Sequence, residues 1–245
     1  MDDNQGKKRK YPWKNAYYTM TKQAVERRVG FRIRDLADTM IPVDEMLAQE
    51  GYRLDEEASK AVLATKDDVY RQILRYLRTE GYPMEFPDFK EGNVNDLVLL
   101  IILPVIDDFI LRTGRHKVRL TREKQIVADD LETGGAEEFV VIDEVELGKE
   151  RYLFIAEAKR SSLGAAMGQC LVSMKDIGDK NDGSIIYGFV TTGESWQMLK
   201  YHDGSFQMTD NMYVLFGAMS HNKEKWINQY SMVVDCINIA LMNGG

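Results

Sequence analysis

The strongest constraint on the fold is the stretch from residue 137 to 160, EEFVVIDEVELGKERYLFIAEAKR, which has the pattern of two β-strands joined by a turn. Both arms are rich in β-branched and aromatic residues. Glu157 and Lys159 end the second arm two residues apart, and side chains at that spacing point to the same face of a strand. The pattern predicts a hairpin that presents a carboxylate and an amine beside the acids of the first arm. Such a cluster can hold a divalent metal ion next to a lysine.

The register of the hairpin decides which acid joins Glu157. If Glu146 faces Lys149 across the tip, Glu138 falls directly opposite Glu157 on the same face, and Asp143 points the other way. A tip one residue longer or shorter would place Asp143 on that face instead. Asp143 would still lie several residues along the strand, so Glu138 is the preferred acid and Asp143 the reserve. The alternative interpretation is that both acids are solvated and that Glu157 and Lys159 form a surface ion pair on an edge strand.

The hairpin and the segments after it carry a resemblance to a known family. GGAEEFVVIDE, then FIAEAKR, then a Gly/Ala-rich helix with Gln169, then IIYGFVTTGESWQMLKYH resemble the core of the PD-(D/E)xK nuclease superfamily, which has the restriction-endonuclease-like fold. The resemblance spans residues 117 to 201 and is closest to a fungal and oomycete branch that includes Crinkler-type effectors. Where that branch usually has Pro-Asp before the first strand, this chain has Glu137-Glu138.

The resemblance implies metal-dependent hydrolysis of phosphodiester bonds. Mg²⁺ (or Mn²⁺) prefers hard oxygen ligands. Here those would be Glu138, Glu157 and the carbonyl of Ala158, with Asp143 in reserve. Lys159 would hold or help deprotonate the attacking water and offset the charge that builds on the phosphorane oxygens.

The resemblance also assigns two supporting positions. Gln169 matches a glutamine that is frequent in this superfamily and would orient Lys159 or a phosphate, although a helix-surface amide explains it as well. An acid from the helix before the sheet often joins such sites, and Asp96 and Glu91 are the candidates. A second acid-x-Lys copy, Asp88-Phe89-Lys90, lies in a Pro/Gly-bounded loop and lacks a partner strand.

Composition indicates a globular chain. With 245 residues, 44% of them hydrophobic, the chain can bury a substantial core as one large or two small domains. The longest apolar run, at 97 to 106, is too short to span a bilayer and contains Pro104. We therefore expect no membrane partner. Cys170 and Cys236 are expected to be buried thiols in a reducing compartment.

Charge is unevenly distributed along the chain. The net charge is −7, yet residues 1 to 35 carry ten Lys and Arg against four acids. A second basic run precedes and accompanies the hairpin, and affinity for nucleic acid grows with the number of phosphates neutralised. The candidate nucleic-acid contacts are Lys117, Arg119, Arg122, Lys124 and Arg160, although solvated faces paired with acids explain them equally well. The block Lys7-Lys8-Arg9-Lys10 is of nuclear-import type, which predicts an intracellular protein with the nucleus as its candidate compartment.

Three regions are predicted along the chain. Residues 1–14 form a disordered basic tail, residues 15–93 a helical N-terminal region, and residues 94–245 the nuclease-like domain. In the helical region, short helices broken near Gly30 and Pro42 precede one or two longer helices that begin after Asp55. This region is a candidate surface for a protein partner, and the oligomeric state is left open.

The second half has the period of strands. A strand within residues 116–131, the hairpin, a helix within 162–178 and a strand within 184–192 predict a three-stranded antiparallel meander, a crossover helix and a further strand. The expected fold class is α/β, a restriction-endonuclease-like mixed sheet flanked by helices. Two other functions stay open: a catalytically silent nucleic-acid-binding fold, and a protein-interaction or effector module.

Overall fold

A computed structural model describes residues 11–85, 89–146, 148–181 and 183–245. The basic block at residues 7–10 lies outside the described residues, as do Asp88 and Leu147. From Tyr11 onward, the stretch expected to be a disordered tail packs against the sheet. Lys14 donates its backbone N–H to Leu131 O at 3.1 Å, and the ring of Trp13 covers Gly134.

The protein has a mixed α/β fold, as predicted. In the described residues its sheet contains eight strands. They are β1 (Asn15–Ala16), β2 (Val118–Val127), β3 (Thr133–Glu146), β4 (Lys149–Ala158), β5 (Ile186–Thr191), β6 (Ser195–His202), β7 (Ser205–Met208) and β8 (Met212–Tyr213).

The order of the strands confirms the predicted topology. The path through the sheet is β1-β3-β4-β5-β6-β7, with β2 paired to β3 and β8 paired to β6. Strands β2, β3 and β4 form an antiparallel meander, and β5 lies parallel to β4. A parallel neighbour requires a crossover connection, which a helix between β4 and β5 provides.

Helices cover both faces of this sheet. The described α-helices are α1 (Lys22–Val29), α2 (Ile33–Asp38), α3 (Val43–Gln49), α4 (Glu56–Thr79), α5 (Glu91–Thr113), α6 (Leu163–Gly178), α7 (Lys223–Lys225) and α8 (Met232–Asn243). Single turns of 3-10 helix occupy Tyr17–Thr19, Pro83–Glu85 and Met219–His221, and a π-helical turn, Trp226–Tyr230, separates α7 from α8.

Local sequence signals explain where several helices begin and end. Asp55 caps α4 by accepting the Ala58 N–H at 2.8 Å, and Ser162 caps α6 by accepting from Ala165 at 3.3 Å. Gly30 ends α1 in the left-handed conformation. Helix α5 continues through Pro104, although a proline in a helix interior removes a backbone hydrogen bond. Because α5 begins at Glu91, the predicted boundary between residues 93 and 94 falls inside a helix.

Two hydrophobic clusters sandwich the sheet. The larger joins α3, α4, α5 and α8 to one face, and the smaller joins α1, α2 and α6 to the other. Gly188 lets α6 approach β5, since a Cβ there would lie 2.3 Å from Met174 Sδ. Both cysteines are buried free thiols, as expected. Of the helices described, none has the length and apolar character needed to cross a bilayer.

Candidate active site

The sheet forks near the start of β3. One edge of this strand pairs first with β1 and then, from Phe139 onward, with β4, and the fork is the gap between these two pairings. Strands β1 and β2 both pair with Gly134, so they must lie on opposite edges of β3. On the edge shared with β1, pairing resumes only at Phe139, which faces Ala156 of β4. Residues 135–138 therefore have no strand partner on this edge. The gap is the place where the ends of β3 and β4 expose their side chains to each other.

An irregularity at the fork turns two consecutive acids toward the same region. Thr133 donates to Asp176 of α6 at 2.6 Å, whereas Phe139 packs in the cluster on the other face of the sheet. Strict alternation would put both on one face, so the side-chain direction changes between them. Across the sheet Glu123 has φ of 52° and pairs with no residue of β3. This break lets Glu137 and Glu138 both reach the fork.

Lys159 joins three carboxylates at the fork. Its Nζ lies 2.7 Å from Glu157 Oε1, 3.0 Å from Glu138 Oε1 and 3.1 Å from Glu91 Oε1. The backbone of Lys159 donates to Thr191 O of β5 at 2.9 Å, which fixes the end of β4. Of the two acids proposed for the preceding helix, the structure thus brings in Glu91, the first residue of α5.

The register brings Glu138 to Glu157 as the sequence predicts. Glu146 faces Lys149 at the tip and Phe139 faces Ala156, so Glu138 and Glu157 come directly after the last pair, where the two strands separate. Glu138 Oε2 also accepts the backbone N–H of Ala158 at 3.0 Å. Strand β4 lies inside the sheet and Glu157 is fully buried, so this pair is not a surface ion pair on an edge strand.

Glu137 is the site residue that the sequence interpretation missed. It was read only as a departure from Pro-Asp, yet its carboxyl group is fully buried beside that of Glu157. Glu137 Oε2 and Glu157 Oε2 are both buried and accept no hydrogen bond from a described residue. Two adjacent acids before a buried strand were the available signal. The change of face that turns both inward has no signature in the sequence.

Burial and mutual repulsion raise the pKa values of all three strand carboxyls. Burial and then the charge of Glu137 raise the pKa of Glu157, and burial raises that of Glu137. Burial and the charge of Glu157 raise the pKa of Glu138. Burial acts to lower the pKa of Lys159, but the charges of Glu157 and Glu138 outweigh it and raise it. These two charges favour the ammonium form of Lys159.

Gln169 lies on α6 at the back of the fork. It is only 8% exposed and donates to Ala136 O at 3.2 Å and to Glu137 Oε1 at 3.5 Å. It is therefore not a helix-surface amide. Its partner in the site is Glu137, where an interaction with Lys159 or a phosphate was predicted.

The structure does not bring Asp143 to the fork. Asp143 pairs with Arg151 near the other end of the hairpin, and its carboxylate accepts from Arg115 Nη2 at 2.6 Å and Nε at 3.2 Å. Its charge is already compensated there. The reserve ligand is thus committed to an ion pair several residues from Glu157.

The predicted nucleic-acid contacts divide into two groups along β2. Lys117 and Arg119 are exposed near the tip, where Val118 pairs with Asp143. Arg122 and Lys124 flank the irregular Glu123; Arg122 lies 5.1 Å from the Phe139 ring centroid, and Lys124 pairs with Glu150 at 2.7 Å. Arg160 is exposed and follows Lys159 directly. Arg122 and Arg160 are therefore the members of the set nearest the fork, whereas the Lys124 ammonium lies at Glu150, near the start of β4.

Aromatic residues of the N-terminal segment line the open side of the fork. A cavity of about 240 Å³ is lined by Glu138, Glu157 and Lys159 together with Tyr11, Trp13 and Tyr18. The Tyr11 and Trp13 rings stack with centroids 4.8 Å apart. Glu138 and Lys159 keep 16% and 22% of their side chains exposed, so a ligand that enters meets these two groups first.

The donor chemistry of the fork fits a hard divalent cation. Its oxygens are carboxylates, and two of them are buried without a hydrogen bond from a described residue. Burial and mutual repulsion raise the pKa values of these carboxyl groups, so a bound cation would stabilise their charged forms. The described residues contain no set of three or more His, Cys, Asp or Glu already arranged around one metal position. Lys159 Nζ occupies the space between Glu138 and Glu157, so a cation would bind beside the ammonium and draw the carboxylates together.

Comparison with known proteins adds no assignment. The sequence matches no protein-family model and shows no significant match to a curated protein.

The raised carboxyl pKa values predict a pH-dependent stability. An acid with a raised pKa in the folded state stabilises that state fully below its unfolded pKa, about 4.3, and loses this contribution as pH rises through the folded value. In the presence of a chelator, the free energy of unfolding should therefore fall as pH rises from about 5 to 8, by up to ~1.4 kcal/mol per pH unit for each proton released.

Glu157→Gln should flatten this dependence, because a buried amide has no proton to release. Denaturant unfolding at a series of pH values measures the slope. Glu144→Gln removes an exposed acid from the same hairpin and should keep the wild-type slope. Equal slopes in wild type and Glu157→Gln would contradict a raised pKa at Glu157.

Proposed function

We propose that the protein is a metal-dependent nuclease that hydrolyses phosphodiester bonds of nucleic acid, with DNA favoured. One observation carries the proposal: a lysine ammonium lies within 3.1 Å of three carboxylates at the fork of β3 and β4, beside a cavity open to solvent. Buried carboxylates with raised pKa values next to a specific charge partner in a cleft are typical of functional sites.

The chain offers ligands for Mg²⁺ or Mn²⁺ at this position. Glu138 and Glu157 would hold the ion through carboxylate oxygens, with the carbonyl of Ala158 as a third donor and Glu137 Oε2 within the same cluster. When bound, such an ion supplies a Lewis acid that polarises the phosphate and stabilises the charge of the transition state.

The protein side chains divide the remaining work. Lys159, held as an ammonium, binds the phosphate oxygen or the attacking water and offsets the charge that develops. Glu138 faces the open side, and its carboxylate oxygen that does not hold the ion would accept the proton of the water. The water oxygen bonds to phosphorus, and the bond from phosphorus to one sugar oxygen breaks. That oxygen takes a proton from solvent, leaving a phosphate monoester and a free hydroxyl group.

Substrate would approach along β2 and the end of β4. Arg122 and Arg160 supply positive charge near the fork, which favours the approach of a polyanion to a chain whose net charge is −7. The preference for DNA and the nuclear location follow from the family resemblance and from Lys7-Lys8-Arg9-Lys10. A protein partner for the N-terminal helices belongs to the same proposal, whereas an effector role belongs to the alternative of a protein-interaction module.

Cleavage of labelled DNA and RNA by the full chain tests the proposal. We expect products with Mg²⁺ or Mn²⁺, none with a chelator, and none with Glu157→Gln. Glu144→Gln is the matched control and should cleave like wild type. Cleavage that persists with chelator, or equally in Glu157→Gln, would place the activity elsewhere or in a contaminant.

One observation favours a second function, a catalytically silent fold that binds nucleic acid. Lys159 Nζ fills the position between Glu138 and Glu157 and already compensates their charge. If no metal displaces this arrangement, the fork is a structural ion cluster. Wild type would then bind oligonucleotides, with an affinity that falls as salt rises, and cleave none of them. A protein-interaction module would show neither binding nor cleavage.

A further inference from the structure

A second and larger cavity adjoins the fork. It has a volume of about 800 Å³ and shares Tyr18, Lys159 and Gln169 with the smaller cavity. A group bound here would therefore lie directly beside the carboxylates. The volume is within the usual range for small-molecule and cofactor pockets.

Small residues of α6 create this space. Gly164 and Ala165 are exposed and line the cavity. A Cβ at Gly164 would meet nothing nearer than Ser162 Oγ at 3.8 Å. These two positions carry at most a methyl group, so the space beside them stays open, and a larger side chain at position 164 would have room for its first carbon.

The opposite wall is held in place by a buried ion-pair network. Tyr17 donates its hydroxyl to Asp176 Oδ2 at 3.0 Å, and Arg28 Nη2 donates to Asp176 Oδ1 at 2.6 Å. Arg28 also binds Asp130 through Nη1 at 2.6 Å. These contacts fix the segment that carries Tyr18, so the cavity is formed before any ligand enters.

The residues that line the cavity suit a nucleobase attached to a phosphate. Its walls are largely apolar, with Met20, Ile33, Met40 and Met208 among them. Among the described residues of the lining, the charged side chains are Lys22 and Lys159, and none is an acid. The exposed amide of Asn211 adds a group able to meet the polar edge of a planar ring, whereas the amide nitrogens of Gln169 and Gln197 already donate to Ala136 O and Thr209 O.

We propose that this cavity binds an unpaired nucleobase next to the scissile phosphate, so that the substrate is single-stranded at the point of cleavage. The proposal rests on the proposed function and adds the class of substrate. The phosphate would meet Lys159 while the base enters between Tyr18 and the methionines. A base within a duplex is stacked and has its polar edge occupied, so it would have to leave the helix to enter.

Gly164→Phe tests the proposal because it adds an aromatic ring at a position that lines the cavity and lies on a different element from the carboxylates. Gly164→Ala is the matched control, since it makes the same helix position non-glycine without filling the space. Binding of single-stranded and blunt duplex DNA oligonucleotides is measured by fluorescence anisotropy with chelator present, and cleavage is measured with Mn²⁺.

We expect wild type to prefer the single strand. Gly164→Phe should weaken single-strand binding about tenfold, the loss of one stacked base, and should leave duplex binding unchanged. Gly164→Ala should behave like wild type. If wild type cleaves DNA but binds both DNA forms equally, and Gly164→Phe has no effect, the base pocket is overturned and the nuclease proposal stands. If no cleavage occurs but Gly164→Phe still weakens single-strand binding, only the nuclease proposal is overturned. No binding of either DNA would remove both.

Discussion

Replacement of Lys159 by methionine should lower cleavage by about 10²–10³-fold, the usual loss when one charged stabiliser of a transition state is removed. Methionine keeps much of the apolar stem of lysine and removes the ammonium that lies 2.7 Å from Glu157 and 3.0 Å from Glu138. The affinity for Mg²⁺ should stay the same or increase, because a competing positive charge has been removed from the ligands. Single-turnover cleavage and metal titration of the same preparation measure the two effects.

Lys149→Met is the matched control for this change. Lys149 is exposed at the opposite end of β4, so its replacement should alter neither cleavage nor metal affinity. A Lys159→Met protein that cleaves within a few-fold of wild type would assign Lys159 to structure alone. Loss of metal affinity together with cleavage would mean that the lysine holds the carboxylates in position rather than acting on the phosphate.

The hairpin and the pairing of its acids could be predicted from the sequence because both depend on local patterns. Period-two alternation identified β3 and β4, and the tip pair Glu146 and Lys149 fixed which acid approaches Glu157. Two shifts in pairing occur between the tip and Phe139, and the second restores the register of the first pair. Glu138 therefore lies where a regular hairpin would put it, although the strands between are not regular.

The rest of the fork depends on contacts that no local pattern reveals. Glu137 turns inward because of the irregularity opposite Glu123. Glu91 reaches Lys159 from the first turn of a helix 68 positions away in sequence. Asp143 lies near the other end of the hairpin, opposite Arg151, where Arg115 binds its carboxylate. The cavity beside α6 arises from packing between helices that are remote in sequence.

Strand β1 illustrates the same limit at the N-terminus. Its two residues pair with Thr133 and Gly134 and create the fork, yet they fell at the edge of a tail expected to be disordered. So short a strand has no periodicity to detect. Gly134 is informative only in the structure, where a Cβ would lie 2.6 Å from the Trp13 ring.

The proposed nuclease activity depends centrally on the binding of a divalent cation by Glu138 and Glu157. Removal of the Glu157 carboxylate should abolish binding, because it takes away a charged ligand and leaves an uncharged amide in a buried position. The raised carboxyl pKa values add a second expectation. A bound cation would displace protons from the cluster, so the heat of binding should change with the ionisation enthalpy of the buffer.

Isothermal titration of Mg²⁺ and Mn²⁺ into the full chain is the most direct measurement. We expect one ion to bind per chain in wild type and in Glu144→Gln, with a heat of binding that depends on the buffer near neutral pH. Binding should be lost in Glu157→Gln and in Glu138→Gln. Equal heats in wild type and Glu157→Gln, or no heat in wild type, would contradict a metal site at the fork.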